Sequence, residues 1–267
     1  MFKITSIRRK LSFFLVFTFT FLFIFQLSLP WVNAKETPKL QIKDWQINGV
    51  MAAVDDGYPE VQKLAFDKLT EYELKNLNQQ EAKKIAKKAA NVLKNEKVDS
   101  DVRGSAAKAL GNLGDAAKPY VEDIAAILKD EKLDPYFRGS AASALGNLGD
   151  EAKPYVDDIL AILKDEKIHS NVRRRAAYAL GNLGNVAKPY VEDIAAIVKD
   201  GKVDLGVRAG AAYALGNLGD AAKPYVKDIA AIVKNEKVNS LVRDDAAPAL
   251  GKLGDAAKPY VEDILAI

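Results

Sequence analysis

Apolar residues recur along residues 100–128 with the spacing of two consecutive amphipathic helices. In the first helix, Val102, Ala106, Ala109, Leu110 and Leu113 fall at i, i+4, i+7, i+8 and i+11, which places them on one face. A second stripe with helical spacing consists of Val121, Ile124, Ile127 and Leu128. The first stripe is rich in alanine and buries little area, so a single hairpin of this kind needs neighbours stacked against it.

The same pattern returns at a step of 35 residues. "GNLG" stands at positions 111, 146, 181 and 216 and is followed by "GKLG" at 251, and "KPY" stands at 118, 153, 188, 223 and 258. Helix-capping residue types occupy most of positions 99, 134, 169, 204 and 239. A period of this size without strand-like alternation predicts an all-α fold, an α-solenoid of two-helix repeats.

The repeat extends in degenerate form towards the N-terminus, where residues 45–59 predict a lone second helix that acts as a cap. We therefore expect a solenoid over residues 44–267, with an N-terminal half-repeat, about five repeats and a truncated last unit. Pro248 lies inside the last first helix, where it should cost roughly 3 kcal/mol or bend the helix. The abrupt end at Ile267 has three possible explanations, which are a truncated reading frame, an end that pairs with another molecule, and fraying. Truncation is favoured.

Residues 1–34 differ in composition from the rest of the chain. A basic start is followed by a mostly apolar run over residues 11–29, and Val32 and Ala34 occupy the small-residue positions of a cleavage site. The pattern predicts a signal peptide cleaved after Ala34, followed by a linker over 35–43. The alternative is an uncleaved inner-membrane anchor formed by residues 11–29. Either interpretation predicts an exported protein, periplasmic or extracellular.

Composition excludes several kinds of chemistry. The chain has no cysteine and one histidine, which removes disulfides, thiol nucleophiles and sites with several histidine ligands. Four of the 39 Lys and Arg lie in residues 1–34, which hold no acid, so the remainder balances 35 basic residues against 36 acidic ones. The near-neutral balance gives no electrostatic case for nucleic-acid binding. We predict no cofactor, no metal and no catalytic residue.

Three features that resemble functional sites have simpler structural interpretations. The glycines of "GNLGDAAKPY" follow a helix, where a phosphate-binding loop would precede one, so we expect them to end the first helix while the proline opens the second. The acidic column that begins at Asp123 is expected in the first turn of each second helix, with Arg103 and its equivalents as candidate partners. His169 occupies a helix-start position.

The best candidate for a binding site lies in positions that vary between units. Position 108 and its equivalents read Lys, Ser, Tyr, Tyr and Pro, and three consecutive arginines lie just before Tyr178. At 100° per residue, Arg174 and Tyr178 point away from the apolar stripe and are expected to be exposed. Arginine and tyrosine are enriched at binding hot spots. The candidate protein-binding patch therefore comprises Arg174, Arg175, Tyr178 and Tyr213, with an ordinary solvated helix face as the alternative.

The segment "VRGSAAKALGNLGD…VEDIAAILKDEK" resembles the HEAT-like repeat, particularly the phycobilisome-lyase type common in cyanobacterial proteins. The resemblance covers residues 44–267 and implies a curved, right-handed α-solenoid, which in most members is a binding platform. A few relatives are enzymes, namely bilin lyases and di-iron deoxyhypusine hydroxylases. The hydroxylases bind iron through His-Glu pairs, and this chain contains none. A lyase role fits poorly with export, because phycobilisomes are assembled in the cytoplasm.

We therefore expect a non-catalytic scaffold that binds an unidentified protein partner through an extended helical surface. Two alternatives remain. One is a HEAT-like enzyme or enzyme accessory related to bilin lyases or oxidoreductases. The other is a self-assembling structural protein whose units stack end to end. Contact with a membrane is expected only through an uncleaved leader.

Overall fold

The computed structural model describes residues 43–72, 74, 77–236 and 240–260, all of which belong to one compact unit. The expected signal peptide with its cleavage site at Ala34, the linker up to residue 42 and the final helix after residue 260 lie outside the described residues. Every element of the described residues is helical. The α-helices are α1 (Asp44–Val54), α2 (Pro59–Thr70), α3 (Gln79–Lys94), α4 (Ser100–Gly111), α5 (Val121–Lys129), α6 (Pro135–Leu148), α7 (Val156–Lys164), α8 (Ser170–Leu183), α9 (Val191–Lys199), α10 (Leu205–Leu218), α11 (Val226–Val233) and α12 (Ser240–Lys252).

The helices alternate between two layers. The even-numbered helices are the first helices of the units and are called A helices below, and the odd-numbered ones are the second helices, called B helices. A short 3-10 segment joins A to B in the regular units. These segments are Gly114–Tyr120, Gly149–Tyr155, Gly184–Tyr190, Gly219–Tyr225 and Gly254–Tyr260. Helices α6, α8, α10 and α12 begin 35 residues apart, in step with the sequence repeat.

Side-chain caps fix the starts of four A helices. Asp99, Asp134, His169 and Asp204 each accept a hydrogen bond from the backbone N–H two residues further on. Such a bond satisfies one of the backbone donors that a helix N-terminus leaves unpaired. The helix-start interpretation of His169 is thereby confirmed, because its Nδ1 lies 3.2 Å from the backbone nitrogen of Asn171.

Stacking of A helices forms the core of the described unit. Each A helix packs directly against the A helices of the neighbouring units, and each B helix packs mainly against the A helix that follows it in the chain. The buried residues are largely alanine, leucine, isoleucine and valine from the predicted stripes, and Ala106, Ala109 and Leu110 are fully buried. Helix α1 packs on α2 in the same way as later B helices pack on the next A helix.

The first glycine of each "GNLG" motif permits this stacking. A Cβ atom added at Gly111 would lie 2.7 Å from the Cα of Ala144, and one at Gly146 would lie 2.7 Å from the Cα of Ala179. The same contact recurs between Gly181 and Ala214 and between Gly216 and Ala249. The sequence analysis expected this glycine to end the helix. In α6, α8 and α10 it instead lies two residues before the end of the helix, and in α4 it is the last helical residue; at each position the absence of a side chain lets two backbones approach closely.

The second glycine of the motif ends the A helix as expected. Gly149 has a φ of 61° and Gly184 a φ of 55°, in the left-handed region that favours glycine. The proline of the "KPY" triplet lies inside the 3-10 segment, before the B helix begins, so the expectation that it opens the B helix is wrong by two residues. Helix α12 continues through Pro248, whose side chain is exposed.

Replacing the contact glycine should separate the effect of packing from the effect of helix propensity. In Gly146→Ala the new methyl group meets the backbone of α8, so we expect unfolding free energy to fall by about 1–3 kcal/mol. A Cβ atom added at Gly251 would meet nothing within 4 Å. Gly251→Ala should therefore leave stability unchanged or raise it by up to about 1 kcal/mol, because alanine favours helix. Urea unfolding followed by circular dichroism measures both, and equal effects would contradict the role of the close contact.

Candidate functional site

The recurring arginine column joins each unit to the one before it. The Nε atoms of Arg103, Arg138, Arg173 and Arg208 donate to the carbonyl oxygens of Leu93, Leu128, Leu163 and Val198, at 2.9, 3.1, 2.9 and 2.9 Å. These carbonyls belong to the last turn of the preceding B helix, which otherwise lacks hydrogen-bond donors. Arg138 and Arg173 are buried. The column is therefore part of the scaffold.

The recurring aspartate column pairs with lysine, and the expected pairing with arginine is wrong. Asp123, Asp158, Asp193 and Asp228 lie 2.9, 2.5, 2.7 and 3.6 Å from the Nζ atoms of Lys94, Lys129, Lys164 and Lys199. Each lysine ends one B helix and each aspartate begins the next, so both charges suit the helix dipole. Both partners are substantially exposed, so each pair contributes little, at most about 1 kcal/mol.

The candidate patch lies in the A layer, and its members contact different neighbours. Arg175 reaches back towards α6, where its Nη1 lies 3.4 Å from Ser143 Oγ and its Cζ 5.8 Å from the centre of the Tyr136 ring. Lys108 of α4 approaches the same ring, with Nζ 4.7 Å from the ring centre and 2.8 Å from the hydroxyl oxygen. Tyr136 therefore lies between two cations that come from different units.

Arg174 reaches in the opposite direction, towards α10. Its side-chain carbons lie 3.5 Å from a Cβ built at Gly206 and 3.2 Å from one built at Gly210. The guanidinium Nε is buried and has no hydrogen-bond partner among the described residues. Glycine at both positions of α10 leaves the space that the arginine stem occupies.

Tyr178 and Tyr213 bring α8 and α10 together in the same surface. Their ring centres are 5.0 Å apart with an interplanar angle of 77°, which is an edge-to-face arrangement. The Tyr213 hydroxyl donates to Asn182 Oδ1 at 3.2 Å, and the Nζ of Lys252 lies 4.8 Å from the Tyr213 ring centre. The four predicted residues thus lie on the adjacent helices α8 and α10, where the two tyrosines contact each other, Arg174 contacts α10 and Arg175 contacts α6.

We use the name ridge for the row of large side chains that crosses the A helices α4, α6, α8 and α10. It consists of one lysine, two arginines and three tyrosines. Its members are Lys108, Tyr136, Arg174, Arg175, Tyr178 and Tyr213. The sequence analysis expected Arg174 and Tyr178 to be exposed, but all four residues of the predicted patch are half-buried. The cause is the close stacking of A helices, which leaves only shallow furrows between them for large side chains.

Sequence reasoning missed Lys108 and Tyr136. Tyr136 is 37% exposed and is one of five large apolar residues that are exposed in the described part of the chain. Variation between units could have identified Tyr136, because position 136 and its equivalents in the other units read Asp, Tyr, Asn, Gly and Leu in chain order. That column is as variable as the one that identified Tyr178. An amide ladder was missed as well, in which Asn147 donates to Asn112 and Asn182 donates to Asn147.

A carboxylate marks the N-terminal border of the ridge. Asp67 of α2 accepts hydrogen bonds from Ser105 Oγ at 2.6 Å and from Lys63 Nζ at 3.0 Å. Burial raises the pKa of Asp67, but these hydrogen bonds, together with the charges of Lys63 and Lys108, outweigh burial and hold that pKa below its usual range. The aspartate is therefore ionised and already paired.

The described residues contain no group of three His, Asp or Glu side chains arranged to hold a metal ion. A cleft of about 600 Å³ is lined by residues that include Leu74, Leu77, Leu113, Asp115 and Glu151. Lys118 pairs with both of these acids. No helix in the part of the chain that the structure describes combines the length and hydropathy needed to cross a bilayer.

Fold and ridge together define an α-helical repeat protein whose variable side chains are displayed on a regular stack. Comparison with known families identifies the repeat. The HEAT repeats family matches residues 121–203, and the PBS lyase HEAT-like repeat matches residues 102–130 and 207–231. The chain is a HEAT-like repeat protein, as the sequence analysis predicted.

Similar solved structures confirm the all-α solenoid. Importin beta aligns with a TM-score of 0.53 and 16% identity over 78% of this chain and 31% of its own. The karyopherin Kap121p bound to the SUMO protease Ulp1p aligns with a TM-score of 0.52 and 14% identity over 81% of this chain and 26% of its own. This chain thus spans about a third or less of each karyopherin. The right-handed sense of the superhelix stays a prediction.

Human deoxyhypusine hydroxylase also aligns, with 20% identity over 78% of this chain and 84% of its own. Its TM-score is 0.38, so the likeness carries no argument about activity. No curated protein matches the chain significantly.

The hydrogen bond at the border of the ridge predicts a pH-dependent contribution to stability. Ser105→Ala removes the hydroxyl that stabilises ionised Asp67, so we expect a loss of about 1–3 kcal/mol at neutral pH. Because the folded-state pKa of Asp67 is lowered, the contribution is complete above the unfolded-state pKa of about 3.9 and is lost as the pH falls through the folded value. Urea unfolding at about pH 7 and about pH 3 should show the difference shrinking.

Ser140→Ala provides the matched control for this prediction. Ser140 is equally buried, but its hydroxyl donates to the backbone carbonyl of Tyr136 in its own helix. Its effect on stability should be the same at both pH values. An effect of Ser105→Ala that does not change with pH would show that Asp67 is not stabilised in the way described.

Proposed function

We propose that the chain is a non-catalytic scaffold that binds a partner protein through the ridge. The observation that carries the proposal is the grouping of arginine and tyrosine side chains from three successive units of the A layer, beside Lys108 of a fourth. Arginine and tyrosine concentrate binding energy at protein interfaces. The scaffold does not need these residues, since the same columns hold serine, glycine or alanine in other units.

Two further observations support a binding role over an enzymatic one. The chain has no cysteine and a single histidine, and that histidine caps a helix. The structure of the similar karyopherin Kap121p was determined with a protein, the SUMO protease Ulp1p, bound to it. A stack of repeats suits this role because it offers a long surface on which contacts from several units add together.

We further propose that the scaffold acts outside the cytoplasm, as a receptor or assembly module of an envelope complex. The basic start, the apolar run over residues 11–29 and the small residues that end at Ala34 support export. The same run would retain the protein at the inner membrane if it were not cleaved.

Replacing the paired tyrosines should weaken partner binding. Tyr178→Ala combined with Tyr213→Ala removes both rings of the edge-to-face pair, and we expect capture of partner proteins from an envelope extract to fall at least about tenfold. Quantitative mass spectrometry of proteins retained by the immobilised chain measures the change. Thermal unfolding accompanies it, because the ring pair itself contributes about 0.5–1.5 kcal/mol.

Tyr58→Ala combined with Tyr190→Ala is the matched control, since it removes two tyrosines that lie outside the ridge. This variant should retain the partners. Equal retention by both double variants would show that the ridge is not the binding surface.

A further inference from the structure

The A layer carries an excess of positive charge around the ridge. Helices α6, α8 and α10 together contain five arginines and no aspartate or glutamate. Three of these arginines, at 138, 173 and 208, donate to carbonyls of preceding B helices. The other two are Arg174 and Arg175, which remain in the ridge. Helices α5, α7 and α9 of the B layer differ, since each has two acids after its first residue and one lysine at its end.

Neither ridge arginine is neutralised within the described chain. Every ion pair of the described residues uses a lysine, and neither Arg174 nor Arg175 has a carboxylate within ion-pair distance there. The Nε of Arg174 is buried without a hydrogen-bond partner among the described residues, and Arg175 has a hydrogen bond to the neutral hydroxyl of Ser143 and a contact with the Tyr136 ring. A half-buried guanidinium without a carboxylate is costly and therefore favours an anionic partner.

We propose that the ridge binds an extended acidic segment of a partner protein. This inference rests on the proposed function and names the chemistry of the partner. Carboxylates of the segment pair with Arg174 and Arg175, and its apolar residues contact the rings of Tyr136, Tyr178 and Tyr213. A planar guanidinium can accept a carboxylate through two parallel hydrogen bonds, which fixes direction as well as affinity.

The spacing of the scaffold limits how such a segment is arranged. Packed helices are about 8–10 Å apart, and an extended chain in the polyproline II conformation rises about 3.1 Å per residue with three residues per turn, so about three residues cross one unit and every third side chain lies on the same face. A segment with an acid at every third position therefore presents one carboxylate to each unit. Exposed Asp101 on α4 and exposed Asp244 on α12 repel such a segment and limit it to the three helices between them.

Peptide carboxylates fit this surface better than nucleic-acid phosphates. A nucleic acid carries a charge on every nucleotide, and proteins that bind it without sequence preference provide a continuous basic groove. The ridge has two unpaired arginines, and Lys108 already donates to the Tyr136 hydroxyl. Beyond residue 34 the chain is close to neutral.

The test uses the full chain and a fluorescein-labelled twelve-residue peptide of four Glu-Leu-Ser triplets, followed by fluorescence anisotropy. The peptide should bind, and its Kd should rise with salt because charge attraction is screened. Arg174→Gln combined with Arg175→Gln should raise Kd at least about tenfold, because glutamine keeps the hydrogen-bonding capacity but loses the charge. A peptide of Gln-Leu-Ser triplets should not bind.

Lys167→Gln combined with Lys202→Gln is the matched control. Both lysines are exposed in loops between B and A helices, and their loss removes the same net charge at a distance from the ridge. This variant should bind the acidic peptide as tightly as the original chain. Equal weakening in both double variants would show that net charge alone governs binding and would overturn the proposal.

Three other outcomes would also overturn it. They are the absence of any binding by the Glu peptide, equal binding by the Gln peptide, and tighter ridge-dependent binding by a twelve-nucleotide oligo-dT. Failure of this inference can be distinguished from failure of the proposed function. If partners from the extract depend on Tyr178 and Tyr213 but are retained by the double arginine variant at every salt concentration, the scaffold role stands and the acidic chemistry is wrong.

Discussion

The close contact between the backbones of successive A helices is the constraint on which the rest of the structure depends. Glycine at 111, 146, 181 and 216 faces the Cα atoms of alanines in the next A helix, and any side chain there would force the two helices apart. Because the A helices lie so close, the core can be built from alanine, and the B helices are left to pack on the following unit. The same closeness gives the ridge its form, since large side chains can lie only in the furrows between helices.

Stabilisation between units comes from unequal contributions. Burial of the alanine and leucine stripes makes the main contribution to the free energy of folding. The buried arginine column adds hydrogen bonds to carbonyls that would otherwise be unpaired. The lysine–aspartate pairs of the B layer are exposed and contribute little. Their regularity follows from repetition of the unit, so the conspicuous charge columns of the sequence are a poor guide to function.

Much of the architecture could be predicted from local signals. The step of 35 residues is visible directly in the recurring motifs, and the cap at Asp134 and the left-handed glycine at 149 follow from the preferences of single residues. The contact between Gly146 and Ala179 could not, because it depends on how two helices from different units pack. The pairing of Asp123 with Lys94 was missed for the same reason. In the ridge, variation between units identified Tyr178 and Tyr213, whereas Lys108 and Tyr136 gained significance only when the structure brought them beside Arg175.

The arginine column has a consequence for how such a chain changes in length. Each unit carries an arginine that donates a hydrogen bond to the preceding unit, as Arg138 Nε does to the carbonyl oxygen of Leu128. The same unit offers a carbonyl oxygen to the next arginine, as Leu163 does to Arg173. A unit duplicated in register therefore arrives with both of its junctions complete, and no compensating substitution is needed elsewhere. Repeat number and surface chemistry can thus evolve independently, since duplication lengthens the stack while substitution in the variable columns changes what the stack displays.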